Sequence, residues 1–320
     1  SAITFGAPGI FAFLALRFTT EGVGHTRPIM YTSVFALICN VFLNYVLMFG
    51  HFGAPAMGAA GCGWASAISM WVVMIALAAY MIVNRRYRKF HLFSKIAPLR
   101  LSAFKEIFAL GLPIAITITA EAGLFSAVSI LMGTRGTNIT AAHQIAISFS
   151  ATTFMIPLAL SAATTIQVGQ LIGAGKMRDA RLAGGTGIFL CAVFMTFSAA
   201  FLLIFRDAVV GLYTSDAAVT GIAVSLLLMA AIFQIADGIQ IGAAGALRGY
   251  KDTSVPMVIN IFAFWVLAFP LAYLAAITFV APPNYVWGGF IVGLGVAATL
   301  LTWRYNKLSA RSLKSLPASA

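Results

Sequence analysis

Two carboxylic acids sit where the chain is least able to hydrate them. Of the eight acidic residues, Glu21, Glu106, Asp179, Asp207, Asp216 and Asp252 lie in polar turns or at the ends of apolar runs, where a carboxylate is solvated. Glu121 instead falls in the middle of Ile116-Thr117-Ile118-Thr119-Ala120-Glu121-Ala122-Gly123, and Asp237 in Phe233-Gln234-Ile235-Ala236-Asp237-Gly238-Ile239-Gln240. A charge at the centre of a bilayer costs at least about 2.5–3.5 kcal/mol on insertion scales. Such a group therefore faces a cavity or a partner, or is carried protonated because leaving water penalises the bare carboxylate. A carboxyl group that can hold either a proton or a cation is what ion exchange across a membrane requires. The bland alternative is a protonated acid hydrogen-bonded between helices.

Other polar residues in the apolar runs could share that chemistry. Gln234, Asp237 and Gln240 recur three residues apart, so helical geometry predicts one polar stripe. Gly238, Gly242 and Gly245 flank it and, like Gly169 and Gly173, suit close helix approach, with plain packing as the favoured reading. Asn40 and Asn44 share a face at i, i+4, either hydrogen-bonding across helices or belonging to an ion site. Pro113 and Pro157 interrupt spans, which frees backbone carbonyls that neighbours or water must satisfy. His143 and Gln144 open another span, where a lone histidine is more often structural than a proton relay. Phe125, Phe149, Phe154, Phe233 and Trp265 could stack on flat cationic ligands. Most of these aromatics must face lipid, and the candidate cavity lining is Gln234, Gln240, Phe233, Thr117, His143 and Gln144.

No motif for bond-making chemistry accompanies them. HExxH, GxSxG with an acid and a histidine, and the P-loop pattern are all missing, so an enzyme is not expected. Cys39, Cys62 and Cys191 are odd in number and show no CxxC or Cys/His spacing, which reads as small buried hydrophobes. No cofactor is expected, and no metal beyond Na⁺ at Glu121 and Asp237.

The elements that must position these residues follow from composition. The 320 residues are 61% hydrophobic and only 9% charged, with mean hydropathy +0.97, whereas soluble domains have about 45–50% apolar and about 25% charged residues. A spanning helix needs about 20 apolar residues. Long continuous apolar runs predict an all-α polytopic membrane protein with nine spans, near 2–16, 28–50, 59–83, 105–131, 139–170, 183–205, 217–245, 254–279 and 285–305. Transmembrane β-strands would instead alternate over about ten residues.

The net charge of +12 is a topology signal, so nucleic acid is not needed to explain it. The turns after spans one, three, five and seven, together with the C-terminal tail, carry 18 of the 20 Lys and Arg, and the alternate turns carry only Arg135 and Arg206. Basic residues accumulate on the cytoplasmic side, which puts the C-terminus there and Ser1 outside. An odd span count, no initiator Met and no signal peptide predict that an odd number of N-terminal spans precedes this sequence. Ala15-Leu16-Arg17 followed by Pro28-Ile29-Met30 is echoed by Ala246-Leu247-Arg248 followed by Pro256-Met257-Val258, an internal repeat of the kind transporters use. The expected organisation is 1–83 as three helices of an N-terminal lobe and 84–104 as a basic cytoplasmic loop. A six-helix C-terminal lobe at 105–305 and a tail at 306–320 complete it.

Several short motifs, in order, resemble the multidrug and toxic compound extrusion (MATE) family in its NorM-like branch. They are Asn40-x₃-Asn44-Tyr45, Phe49-Gly50-His51-Phe52-Gly53, Gly61-Cys62-Gly63 and Gly111-Leu112-Pro113 with Glu121. Further along come Ala141-Ala142-His143-Gln144-Ile145-Ala146, Pro157-x₆-Thr164-Thr165-Ile166-x-Val168-Gly169, Leu171-Ile172-Gly173-Ala174-Gly175, and Asp237 through Leu247-Arg248-Gly249-Tyr250-Lys251-Asp252-Thr253. The resemblance implies a twelve-helix, two-lobed antiporter of the bacterial inner membrane, of which this chain supplies helices four to twelve. It would export amphipathic, often cationic compounds in exchange for Na⁺ or H⁺, with lipid around it and no obligate protein partner. The acids matching Glu121 and Asp237 would form the coupling-ion site. The asparagines matching Asn40 and Asn44 would sit near an aspartate on the family's first helix. A flippase for lipid-linked precursors, with related architecture but a basic cavity, is the rival transporter. A passive channel or membrane-embedded enzyme is the rival of another class.

Overall fold

The computed structural model describes residues 2–53, 55–84, 87 and 101–314. Among these residues nine helices are long and apolar enough to cross a bilayer, and there is no strand. A 3₁₀ turn at Ala2–Gly6 leads into α1 (Ala7–Gly22), followed by α2 (Arg27–Phe49) and α3 (Ala59–Val83). Then come α4 (Leu101–Gly133), α5 (Thr137–Gly173), α6 (Met177–Gly211) and α7 (Ala217–Gly249). α8 (Ser254–Thr278) and α9 (Pro283–Lys314) complete the order.

Each expected apolar run matches one span, the runs 28–50 and 254–279 overshooting α2 and α8 by one residue and 2–16 starting in the 3₁₀ turn, but several helices run further. Arg178, Arg181, Arg206 and Arg248 lie inside helices rather than in turns, and α9 continues past 305 to Lys314. The reason is physical: hydrophobicity marks where a helix lies in hydrocarbon, while its hydrogen-bonded backbone carries on into the interface. Most of the basic 84–104 stretch, and residues 315–320, lie outside the described residues.

The chain forms two compact units, Ser1–Leu99 and Arg100–Ala320. In the first, α3 packs on α1 and α2, and Phe13, Ala36, Val73, Leu77, Met81 and Tyr87 make a small buried core. In the second, α7 is the central element, packed against α5, α6 and α9.

Small residues make that central position possible. Lipid tails are as apolar as leucine, so helices associate through close packing and hydrogen bonds rather than hydrophobic burial. A Cβ on Gly238 would lie 2.5 Å from Met195 Cγ, and one on Gly242 would lie 3.1 Å from Ile188 Cα. The α6 backbone thus rests directly on α7. On the other side Ser161 Oγ donates to Ile241 O at 2.7 Å, and Thr165 Oγ1 donates to Gly245 O at 2.7 Å, tying α5 to α7. The Gly169/Gly173 pair does less than its spacing implies. Gly169 looks toward Gly249 O at 3.9 Å, whereas Gly173 has open space.

α8 is not a uniform α-helix. Phe262–Ala268 and Leu274–Thr278 are π-helical, with Pro270 between them. Proline offers no N–H to the carbonyl four residues back, and the wider turn lets donors reach five back, as Phe269 N does to Phe264 O.

Candidate functional site

Residues 114, 117, 118, 121 and 122 are the i, i+3, i+4, i+7, i+8 stripe of one face of α4. Ile114, Thr117, Ile118, Glu121 and Ala122 line a hollow of about 320 Å³. Phe154 and Leu158 from α5 close one wall, and Gln240, Ile241, Ala244 and Arg248 from α7 another. Thr253, Pro256 and Asn260, at the start of α8, form the end of the hollow nearest the basic turns. A second hollow of about 220 Å³ is lined by Glu121, Phe125, Ile147, Ser150, Ala151, Phe154, Phe233 and Asp237. Glu121 and Phe154 are common to both.

The two acids that stood out in the sequence thus come together from α4 and α7 on one hollow. Asp237 is 4% exposed, and its Oδ1 is buried with no hydrogen-bond partner. Among the described residues Glu121 makes no hydrogen bond and no ion pair within 4.0 Å. Ser150 Oγ, on the same hollow, is likewise buried without a partner. Polar atoms left in this state cost about 1–3 kcal/mol each, more when charged, so the arrangement stores a demand for a proton, a cation or water. Two carboxylates and a hydroxyl are hard oxygen donors, which suit a hard cation rather than a thiophilic metal. Among the described residues no three His, Cys, Asp or Glu gather as a metal cluster.

The predicted stripe on α7 divides. Gln240 lines the first hollow, with Oε1 buried and unpartnered, and Asp237 lines the second. Gln234 lines neither. Its Oε1 accepts from Ser198 Oγ at 3.2 Å and more loosely from Thr153 Oγ1 at 3.4 Å. Six residues of helix turn through about 600°, leaving the ends of the stripe about 120° apart, so they meet different neighbours.

Thr117 lines the first hollow, but its hydroxyl donates to Pro113 O at 2.8 Å. Phe233 and Phe125 line the second hollow and belong to an aromatic group: Phe125 stacks on Phe290 at 4.9 Å and Phe233 meets Trp287 edge-on at 5.6 Å. Phe149 packs against the buried core, and Trp265 lies along α4, donating Nε1 to Ala120 O at 3.1 Å. Neither of them lines the two hollows.

His143 is not a cavity residue. It is 1% exposed and fully engaged. Trp287 Nε1 donates to its Nδ1 at 3.1 Å, so Nε2 carries the proton and donates to Ser129 Oγ at 3.0 Å, and that hydroxyl donates to Phe125 O at 2.8 Å. Gln144, its neighbour, is exposed and touches neither hollow.

In the first unit Asn44 Nδ2 donates to Asn40 Oδ1 at 2.9 Å, and Asn40 Nδ2 donates to Ser69 Oγ at 3.2 Å. Of the two readings open for these amides, the structure supplies the cross-helix hydrogen bond. Asn44 Oδ1 remains buried without a partner.

Two polar residues of the hollows, Ser150 and Asn260, carry no mark in the sequence, and Arg248 stands there only within the internal repeat and the family-like motif, with no site role. Arg248 sits among basic residues that topology already explains, and Ser150 and Asn260 resemble many polar residues in the spans. Asn260 is 0% exposed, with both amide atoms unpartnered.

The MatE family model matches residues 113–274, a segment containing Glu121 and Asp237. Multidrug resistance protein PmpM of Pseudomonas aeruginosa is 39% identical over 316 residues, covering 98% of this chain and 66% of the relative. A probable multidrug resistance protein NorM of Xanthomonas campestris pv. campestris is 42% identical over 310 residues, covering 97% and 68%. The chain thus spans about two thirds of the length of these curated relatives. Among solved structures, a MATE protein in its bent conformation superposes with TM-score 0.85 at 20% identity, covering 97% of this chain and 68% of that one. The eukaryotic MATE transporter AtDTX14 gives TM-score 0.83 at 24% identity, covering 97% and 70%. At these identities the structures speak to the fold alone.

Proposed function

This chain belongs to the MatE family of multidrug efflux transporters, and from that premise we propose a secondary active antiporter that exports amphipathic, often cationic, drugs and toxins in exchange for Na⁺ or H⁺. The exchange centres on Glu121 and Asp237. The observation that carries this reading is that both carboxylates line one hollow without a hydrogen-bond or ion-pair partner among the described residues. A structural acid would have been given donors. Relatives named as multidrug resistance proteins supply the substrate class, and Phe125, Phe154 and Phe233 offer the flat apolar surfaces such molecules prefer.

The mechanism is competition for a shared negative charge. A proton, a sodium ion or a cationic substrate can each neutralise the carboxylates, but not all fully at once. Binding of the ion from outside weakens the hold on the substrate and releases it; binding of the substrate from inside expels the ion. Each ligand shifts the conformational equilibrium only by its differential affinity for the two states. One elementary charge crossing about 100 mV is worth about 2.3 kcal/mol, so a one-for-one swap of monocations draws on the ion gradient and not on the voltage. A bacterial inner membrane, with the basic turns and the C-terminal end of α9 in the cytoplasm, agrees with the asymmetry of Lys and Arg. A flippase for phosphate-bearing lipid precursors would want the opposite polarity around the second hollow.

The test is Glu121→Gln and Asp237→Asn in the complete protein, assayed for dye efflux and for substrate-evoked ion flux. Loss of coupled flux at parental abundance supports the reading; normal export by both variants defeats it.

A further inference from the structure

Arg248 lines the same hollow as Glu121, from the last turn of α7. A basic residue there has an ordinary explanation, since cations favour helix C-termini and the cytoplasmic ends of spans. That explanation does not cover its surroundings. Two other cations near this end have acid partners: Lys251 Nζ holds Glu106 Oε1 at 2.9 Å, and Arg304 Nε holds Asp252 Oδ2 at 2.7 Å. Among the described residues Arg248 makes no hydrogen bond and no ion pair within 4.0 Å. The hollow's remaining polar walls, Gln240, Asn260, Thr253 and Thr117, are neutral. The acid sharing the hollow is Glu121, the one residue of opposite charge among its lining.

Glu121 also lines the second hollow, with Asp237. Eleven residues of helix separate Asp237 from Arg248, about 16 Å along the axis, so one guanidinium cannot serve both acids. Glu121 therefore stands between two partners. Toward Asp237 it joins a second carboxylate, and the pair needs a mobile cation. Toward Arg248 the positive charge is built into the chain.

We infer that Arg248 is a tethered competitor for Glu121, its guanidinium taking up that carboxylate when the exchanged cation has left. The inference rests on the reading of Glu121 and Asp237 as the exchange site. Without a resident counter-charge, emptying the site would strand an ionised carboxylate in a poorly polarisable surrounding, a costly state that would hold the cation too tightly. With one, release becomes the replacement of one positive partner by another. Gln240 Oε1 and both amide atoms of Asn260, buried and unpartnered on this hollow among the described residues, are three polar contacts, within the about two to four a buried water needs, for waters through which the charges can meet.

The experiment uses the complete protein in lipid vesicles and the concentration of Na⁺, or separately of H⁺, that halves binding of a fluorescent cationic dye held well below its own Kd, so that the midpoint reports the ion's affinity. Arg248→Gln is expected to lower that concentration about tenfold and Arg248→Lys, which keeps the charge but loses the planar fork, about threefold. In a Glu121→Gln background, Arg248→Gln is expected to shift nothing further, because the group it competes for is gone. The lysine variant preserves the charge at the helix end and carries the test if the glutamine variant does not assemble. An unchanged midpoint in the arginine variants, or an equal shift with and without Glu121, overturns the competitor role and leaves the exchange site standing. Dye displacement that is normal in Glu121→Gln itself would remove the exchange site, and the competitor with it.

Discussion

The second unit holds two deeply buried polar groups that are treated in opposite ways. Around His143 every ring nitrogen is spoken for, in a relay from Trp287 Nε1 through the imidazole to Ser129 and the Phe125 carbonyl. Among the described residues Asp237 Oδ1 has no partner, Ser150 Oγ nearby has none, and the partly buried Glu121 faces the same hollow with no ion pair within 4.0 Å. Both residues are almost wholly inaccessible, at 1% and 4% exposure, so burial alone does not separate a structural group from a functional one. Satisfaction does. A fully bonded network rigidifies the bundle, whereas donors and acceptors left open are a standing requirement for something mobile.

Four measurements would break or sharpen this contrast. The largest expected effect is on the Glu121→Gln/Asp237→Asn double variant: substrate-evoked ion flux should fall by about two to three orders of magnitude, roughly 3–4 kcal/mol in coupled turnover. Its resistance to unfolding in detergent should match or exceed the parent, since neutral amides are cheaper to bury than charges. His143→Ala should do the reverse. Removing a buried ring and two linked hydrogen bonds is expected to lower stability by about 2–4 kcal/mol, read by chemical or thermal unfolding, with transport per folded molecule unchanged. A large transport defect in folded His143→Ala would erase the distinction.

Ser150→Ala removes the third oxygen on the second hollow. It should raise the cation concentration for half-maximal exchange about three- to tenfold, the loss of one neutral ligand worth about 0.5–1.5 kcal/mol. The smallest effect belongs to Trp287→Phe, which keeps an aromatic ring but withdraws the N–H from His143 Nδ1. About 1 kcal/mol of stability should be lost, with no change in cation dependence.

Much of this contrast was legible in the residue string, and the remainder shows why it could not all be. Glu121 and Asp237 stand out because an acid in a long apolar run is costly whatever surrounds it. The nine helices stand out because only long apolar segments cross a bilayer with their backbone hydrogen bonds internally satisfied. Helix ends were less legible: α6 and α9 carry charged residues at their ends while remaining helical, since hydropathy reports the lipid and not the backbone. The division of the α7 stripe, with Gln234 turned to Ser198 and Gln240 to the hollow, depended on which neighbours stand about 120° apart around that helix. Arg248 stood in a repeated turn and a family-like motif, but nothing there marked it as a site residue, one cation among many near the basic ends of the spans.

What the residue string determined, then, is the medium, the number of spans, the sidedness of the charges and the two acids that cannot be at ease in hydrocarbon. These are properties of single segments, set by transfer free energies that each residue carries wherever it goes. The tertiary structure alone decided which polar groups find partners: both ring nitrogens of His143 do, Gln234 does through Oε1 but not Nε2, and Asp237, Glu121, Ser150 and Asn260 keep polar atoms without one among the described residues. Hydrogen bonds and counter-charges are short-ranged and directional, so they exist only once α4, α5, α7 and α8 have been brought together in one particular packing.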